Sequence, residues 1–249
     1  MGTFFVHGPE GLVRVNAHRA AQGFRPASTF KIVNALVAME AGVVHDTGHV
    51  LRWDGNKREV TMWNSDLTMN EAFRTSAVWY FVELGKLSGR ERLEKAMRDS
   101  GYGNADAGGS DQFWLDGPLR ISADGQVAFL KRLLSGKTPF SARYRGLLAR
   151  MMLLEQASQE SGPCEPWALY GKTGLALQGG GPEGGGEAGD VPVGWLVGWA
   201  ERGAEQHPYA LNISPATPLG EGAKPGPEFA RARLELVKIF LKELGLLPG

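Results

Sequence analysis

The chain has 249 residues, 43% hydrophobic and 22% charged, which is enough apolar content to bury a sizeable core and too much for a disordered chain. Lysine plus arginine and aspartate plus glutamate each number 27, so the formal net charge is zero. No segment gathers basic residues with aromatics as a nucleic-acid groove does, so a small-molecule partner and no nucleic acid are expected. A single cysteine, Cys164, excludes an internal disulfide framework, and no run of 18 or more apolar residues is present to span a membrane.

Residues 3–7 and 12–16 flank His7-Gly8-Pro9-Glu10-Gly11, the turn of an opening hairpin. The first residues, Met1 to Val6, lack the basic stretch and apolar core of a secretory signal peptide, so the sequence reads either as a protein that stays inside or as a processed form. From Ser28 to Ala41 the apolar residues Phe30, Val33, Leu36 and Val37 recur at helical spacing, with Pro26 ahead and Gly42 behind, which predicts a buried helix opening at Ser28. His45 and His49 have the spacing of a metal pair, but Asp46-Thr47-Gly48 between them reads as a loop, so no metal site is expected. Helical pattern dominates 66–157, including 70–87 and 124–134, with a glycine-rich turn at 101–109. Glu71, Glu83 and Asp116 form no close carboxylate pair of the kind that cleaves glycosides.

Beyond residue 165 the pattern changes to alternating aromatics and aliphatics. Three antiparallel strands are predicted, around Trp167 to Gly174, Val193 to Trp199 and Tyr209 to Ile213. The glycine-rich stretch 179–190 reads as the tip between the first two. A last helix over about 228–244 carries Phe229, Leu236, Val237, Phe240 and Leu244 on one stripe. Strands at both ends with helices between predict an α+β fold, an antiparallel sheet formed by the two termini with a helical lobe inserted. The chain is read as one domain, residues 1–249, with a sheet lobe over about 1–25 and 165–249 and a helical lobe over about 26–164.

The chemistry centres on Phe24-Arg-Pro-Ala-Ser28-Thr-Phe-Lys31. Ser28, at the first turn of the predicted helix, either caps it or reacts, and Lys31 three residues on shares its face. Lys31 lies between Phe30 and Ile32, where desolvation favours the neutral amine, able to act as a base or to capture carbon dioxide. Ser76 offers a second hydroxyl at the start of another apolar helix. Lys172-Thr173-Gly174 follows in a strand, where the lysine can hold an anion and the glycine admits a close backbone. S-x-x-K, a second serine and K-T-G in this order match the penicillin-recognising serine enzymes.

Pro26-Ala-Ser-Thr-Phe-Lys-Ile, Ser76-Ala-Val78, Tyr102-Gly-Asn104, Phe113-Trp-Leu-Asp-Gly-Pro-Leu-Arg-Ile-Ser122 and Lys172-Thr-Gly174 make the resemblance specific. Across essentially the whole chain the sequence resembles the class D serine β-lactamases, the oxacillinase family. An apolar third residue in Ser76-Ala-Val78 differs from the S-x-N usual in class A enzymes and penicillin-binding proteins.

The resemblance implies the fold of the serine β-lactamases and penicillin-binding proteins. It also implies a β-lactam substrate, Ser28 as nucleophile, and Lys31 carboxylated by CO2 or bicarbonate as general base, with no other cofactor. Phe30, Val78, Trp114 and Leu115 would line the carbamate pocket, Trp114 donating its indole N–H. Ser76, helped by Lys172, would relay a proton to the lactam nitrogen. The backbone N–H groups of Ser28 and Leu175 would form the oxyanion hole. Thr173, beside Gly174, and an arginine of the last helix would bind the substrate carboxylate; Arg231 fits the pattern best, with Arg233 close by on a nearly opposite side. Tyr102-Gly-Asn104 is treated as architectural. A periplasmic or secreted location is expected from the family, although no signal peptide is seen, and oligomeric state is left open. The competing readings are a β-lactam sensor that is acylated but not turned over, in which a polar residue commonly replaces the valine at 78, and a cell-wall D,D-peptidase.

Overall fold

A computed structural model of the chain describes residues 1–157, 166–178, 191–215 and 225–248. Cys164 and the glycine-rich stretch 179–190 lie outside the described residues. Strands β1 (Gly2–Gly8) and β2 (Gly11–Val15) form the opening hairpin, and α1 (Ala17–Ala21) follows. A 3-10 turn, Ala27–Phe30, runs into α2 (Lys31–Glu40); then come β3 (Val50–Leu51), β4 (Leu67–Thr68), α3 (Met69–Arg74), α4 (Val78–Ser88) and α5 (Arg90–Ser100). The chain continues with α6 (Ala123–Leu134), α7 (Ala142–Met152), β5 (Leu153–Ala157), β6 (Trp167–Gln178), β7 (Val191–Arg202), β8 (Glu205–Ile213) and α8 (Pro227–Glu243).

The main sheet has the order β2-β1-β8-β7-β6-β5, every neighbouring pair antiparallel. Both chain ends therefore meet at its centre, β1 against β8, as the α+β reading requires. Side-chain alternation divides the core in two. Phe4, Val6, Leu196, Tyr209 and Leu211 face α8, where Phe4 stacks on Phe240 with ring centroids 4.6 Å apart, while Phe5, Val193, Trp195, Val197 and Ala210 join the larger core of the helical lobe. At the heart of that lobe α2 is buried from Lys31 to Met39, because its sequence is apolar nearly all round. It packs on α4, α5 and α7, while α6 lies on β8 and β1.

Three local readings need correction. The buried helix does not open on a capping serine: Ser28 lies within the 3-10 turn after Pro26, and its side chain caps nothing. The helical stretch at 70–87 is two helices, broken at 75–77, because Ser76 takes a left-handed backbone with φ 57°. Residues 153–157, assigned to the helical lobe, form the edge strand β5 against β6, so the sheet begins before residue 165. Leu153–Ala157 follows α7 without a turn signal and carries neither glycine nor proline, so nothing in its composition marks the change.

Candidate active site

The site lies at the seam of sheet and helical lobe, where the 3-10 turn packs against β6 and β7. Gly174 makes the approach possible: a Cβ there would stand 2.9 Å from the Pro26 carbonyl and 3.1 Å from Thr29 Cγ2. The turn is pinned on its other sides. Thr29 Oγ1 donates to the Pro26 carbonyl at 2.7 Å, buried Gln126 donates to Thr29 Oγ1 at 2.9 Å, and the Ala27 N–H donates to the Trp114 carbonyl at 3.0 Å. Ala27, immediately before Ser28, has φ 51°, a left-handed conformation that alanine occupies at a cost of order 1–3 kcal/mol when the surroundings impose it. Strain sits beside the reactive residues at both serines.

Two serine–lysine pairs meet here. Lys31 Nζ donates to Ser28 Oγ at 2.7 Å, and Lys172 Nζ donates to Ser76 Oγ at 2.5 Å and to the Thr173 carbonyl at 3.1 Å. Lys31 is fully buried with its Nζ 5.4 Å from the centre of the Phe81 ring, and burial, reinforced by the charge of Lys172, holds its pKa well below the ordinary lysine range. Lys172 lies 5.4 Å from the Phe73 ring centre; burial, and then the charge of Arg233, lowers it to about 7. Burial thus favours the neutral form of both amines.

Phe30 and Trp114 stack with centroids 5.3 Å apart, and Phe113 meets Phe30 edge-on at 5.0 Å. Among the described residues the Trp114 indole N–H is buried without a hydrogen-bond acceptor. A buried unsatisfied donor costs about 1–3 kcal/mol, so an acceptor is missing there. Val78 and Leu115 are half-buried rather than enclosed; Leu115 packs on the main core and Val78 lines a cavity on the outer face of α4.

Thr173 and Leu175 are exposed on β6, on either side of buried Gly174. Arg231 is exposed on α8, whereas Arg233 is buried and donates through Nη1 to the Gly174 carbonyl at 2.6 Å. Its Nε is buried without an acceptor, and burial lowers its pKa to about 10. The close packing has a local reason, since a Cβ on Gly194 would stand 3.1 Å from Arg233 Cδ. A signal for it was present: Arg233 is four residues from both Phe229 and Val237, within the apolar stripe of the last helix. Phe73 and Phe81 carried no such signal, being two apolar residues among many in helical windows.

Tyr102-Gly103-Asn104 ties the 113–122 segment down. Asn104 Oδ1 accepts from the Arg120 N–H at 2.9 Å, its Nδ2 donates to the Pro118 carbonyl at 3.0 Å, and Tyr102 is fully buried against Phe30 and Phe129. His45 and His49 lie in the loop after α2, and no group of three or more metal-ligating side chains forms among the described residues. Among the same residues no helix is long and apolar enough to cross a membrane.

An antiparallel sheet that joins strands from both ends of the chain, with two serine–lysine pairs at its seam with a helical lobe, is the architecture of the serine β-lactamase and penicillin-binding protein fold. The penicillin-binding protein transpeptidase domain matches residues 7–235. Comparison with individual proteins narrows the class. A probable β-lactamase, YbxI of Bacillus subtilis, is 36% identical over 215 residues, 85% of this chain and 74% of its own length. β-Lactamase OXA-48 of Klebsiella pneumoniae is 35% identical over 234 residues, 94% of this chain and 78% of its own. The crystal structure of the class D β-lactamase YbXI from Nostoc superposes with a TM-score of 0.83 at 36% identity, covering 99% of this chain and 95% of that one. The chain belongs to the class D β-lactamases, hydrolases acting on the β-lactam amide bond.

Proposed function

We propose that the chain hydrolyses β-lactam antibiotics through an acyl-enzyme on Ser28, with Lys31 N-carboxylated by carbon dioxide. The observation that carries this reading is Lys31 itself, fully buried, pKa well depressed, with Nζ 2.7 Å from Ser28 Oγ. A carbamate forms only from a neutral amine, and burial supplies one. Bound on Lys31, the carbon dioxide adds a base able to take the Ser28 proton and, later, a proton from water. The unpartnered Trp114 indole N–H is the donor that would hold its charge.

Ser28 Oγ bonds to the lactam carbonyl carbon, and the backbone N–H groups of Ser28 and Leu175 hold the developing oxyanion, a contribution of about 3 kcal/mol per donor. As the C–N bond opens, Ser76 gives its proton to the lactam nitrogen and regains one from Lys172, its partner at 2.5 Å. Thr173 and Arg233 hold the substrate carboxylate, the arginine through the donors left free by its bond to Gly174. The proton taken from Ser28 passes by way of solvent to Lys172; water then gives up a proton and bonds to the acyl carbon, the bond from that carbon to Oγ breaks, and Ser28 Oγ regains its proton.

The test is a time course with a chromogenic β-lactam in large excess, with and without bicarbonate, beside a carbon-13 spectrum taken in labelled bicarbonate. Many turnovers per Ser28, faster with bicarbonate, and a carbamate resonance lost in Lys31→Ala are expected. A burst of one equivalent that stops would make the chain a sensor, and indifference to bicarbonate would remove the carbamate. We also place the protein in the periplasm or outside the cell, to be checked by fractionation of the producing cells.

A further inference from the structure

A cavity of about 680 Å³ runs along the outer face of α4, away from Lys31. It touches the site at two points. Val78, two residues after Ser76, lines it, and so does Trp63, whose indole N–H donates to the Thr75 carbonyl at 3.0 Å beside that serine. Along α4 its wall follows one stripe, Val78, Val82 and Lys86 at four-residue spacing, with Glu83 adjoining. Trp79 is fixed by its own indole N–H, which donates to the Trp63 carbonyl at 2.9 Å, and one ring face is covered by the Arg58 guanidinium at 5.5 Å.

Five charged side chains line the cavity, and three of them are engaged. Arg58 is clamped by both oxygens of Asp54, at 2.8 and 2.7 Å, and the same contacts hold the Asp54 carboxyl well below the usual carboxylate range. Lys86 faces Asp111 at 3.5 Å. Arg52 and Glu83 remain. Neither has an ion pair or hydrogen-bond partner among the described residues, and they stand beyond ion-pair reach of each other. One free cation and one free carboxylate, set apart in a tryptophan-walled cavity whose wall includes Val78, two residues after Ser76, complement a ligand carrying both charges.

We infer that this cavity receives the acyl side chain of the substrate and favours β-lactams whose side chain ends in an amino acid, its carboxylate at Arg52 and its ammonium at Glu83. The inference rests on the β-lactam reading of the site and deepens it. The volume falls within the range of small-ligand sites, and the apolar stem of such a chain lies against Val78, Val82 and Trp63. Arg52 and Glu83 are specificity-determining residues here and take no part in bond making.

The experiment compares kcat/KM for three penicillins sharing one nucleus: a phenylacetyl side chain as neutral reference, an α-aminoadipyl chain as zwitterion, and an α-carboxyphenylacetyl chain as anion. Arg52→Ala and Glu83→Gln are each expected to lower the aminoadipyl-to-phenylacetyl ratio about fivefold, the size of an exposed charge pair. On the anionic penicillin they act in opposite directions, Arg52→Ala lowering its ratio and Glu83→Gln raising it, which a merely structural role would not produce. Ratios that stay constant in both variants, or that fall together for every side chain, overturn the inference. A wild-type chain acylated but not turned over would defeat the hydrolase reading alone, because the same ratios are then read from second-order acylation rates.

Discussion

Ser28 with Lys31 and Ser76 with Lys172 are the same two functional groups at nearly the same separation, 2.7 and 2.5 Å, yet they are assembled in opposite ways. The first pair is three residues apart in one turn; the second joins residues 96 apart, from a break between helices and the middle of a strand. Each lysine lies 5.4 Å from a phenylalanine ring centre, Phe81 for Lys31 and Phe73 for Lys172, so both surroundings penalise charge. They differ in grading. Burial lowers both amines most; the charge of Arg233 then lowers Lys172 further and that of Lys172 lowers Lys31, the more deeply buried of the two and the one beside Ser28. In the mechanism proposed above, the inner lysine is the one that would react with carbon dioxide and the outer one the proton donor.

The comparison breaks most completely at Ser28, the proposed nucleophile. Ser28→Ala is expected to lower β-lactam turnover by about three orders of magnitude or more with little loss of fold, since Ser28 caps no helix; steady-state hydrolysis and thermal denaturation read the two effects separately. Ser76→Ala should retain slow acylation of Ser28, detectable by intact mass, if the two pairs divide the labour as argued.

The outer end of the gradient is broken next. Arg233→Ala should lower kcat/KM for a penicillin by roughly ten- to a hundredfold, the worth of a hydrogen-bonded charge, chiefly through KM, whereas exposed Arg231→Ala should stay within about twofold. Equal effects of the two would return the assignment to Arg231. Trp114→Phe keeps the aromatic wall and deletes one donor, so half-saturating bicarbonate is expected to rise about tenfold, measured by activity titration in degassed buffer.

The smallest effect sharpens the comparison through pH. Lys172 titrates near 7 in the folded chain and near the ordinary lysine value of about 10.4 when unfolded, so between those values the unfolded state binds more protons. Stability therefore rises with pH across this window and is lost as pH falls toward 7, by at most about 1.4 kcal/mol per pH unit for this group. Lys31, also lowered, adds slope of the same sign. Urea midpoints from pH 7 to 10 should show the rise, and Lys172→Met should flatten it. Activity moves in the same direction, falling in acid as Lys31 becomes protonated.

The sequence by itself determined what short-range geometry controls. Spacing of three within a turn brings Lys31 to Ser28; alternation of apolar residues defines β6, β7 and β8 and the face each turns to α8 or to the helical lobe; the apolar stripe defines α8. Tyr102-Gly-Asn104 was legible as architecture for the same reason, since its bonds run to the neighbouring segment at 118–120. Only the tertiary structure decided the rest. It placed Arg233, and not Arg231, against β6 and β7, because that depends on which face of α8 meets Gly194 and Gly174. It brought Lys172 to Ser76, placed Phe73 and Phe81 at the two amines, and forced Ser76 into a left-handed backbone that splits one predicted helix. These contacts join residues distant in the chain, and what fixes them is the packing of the sheet against the helical lobe, where burial lowers the pKa of Lys31, Lys172 and Arg233.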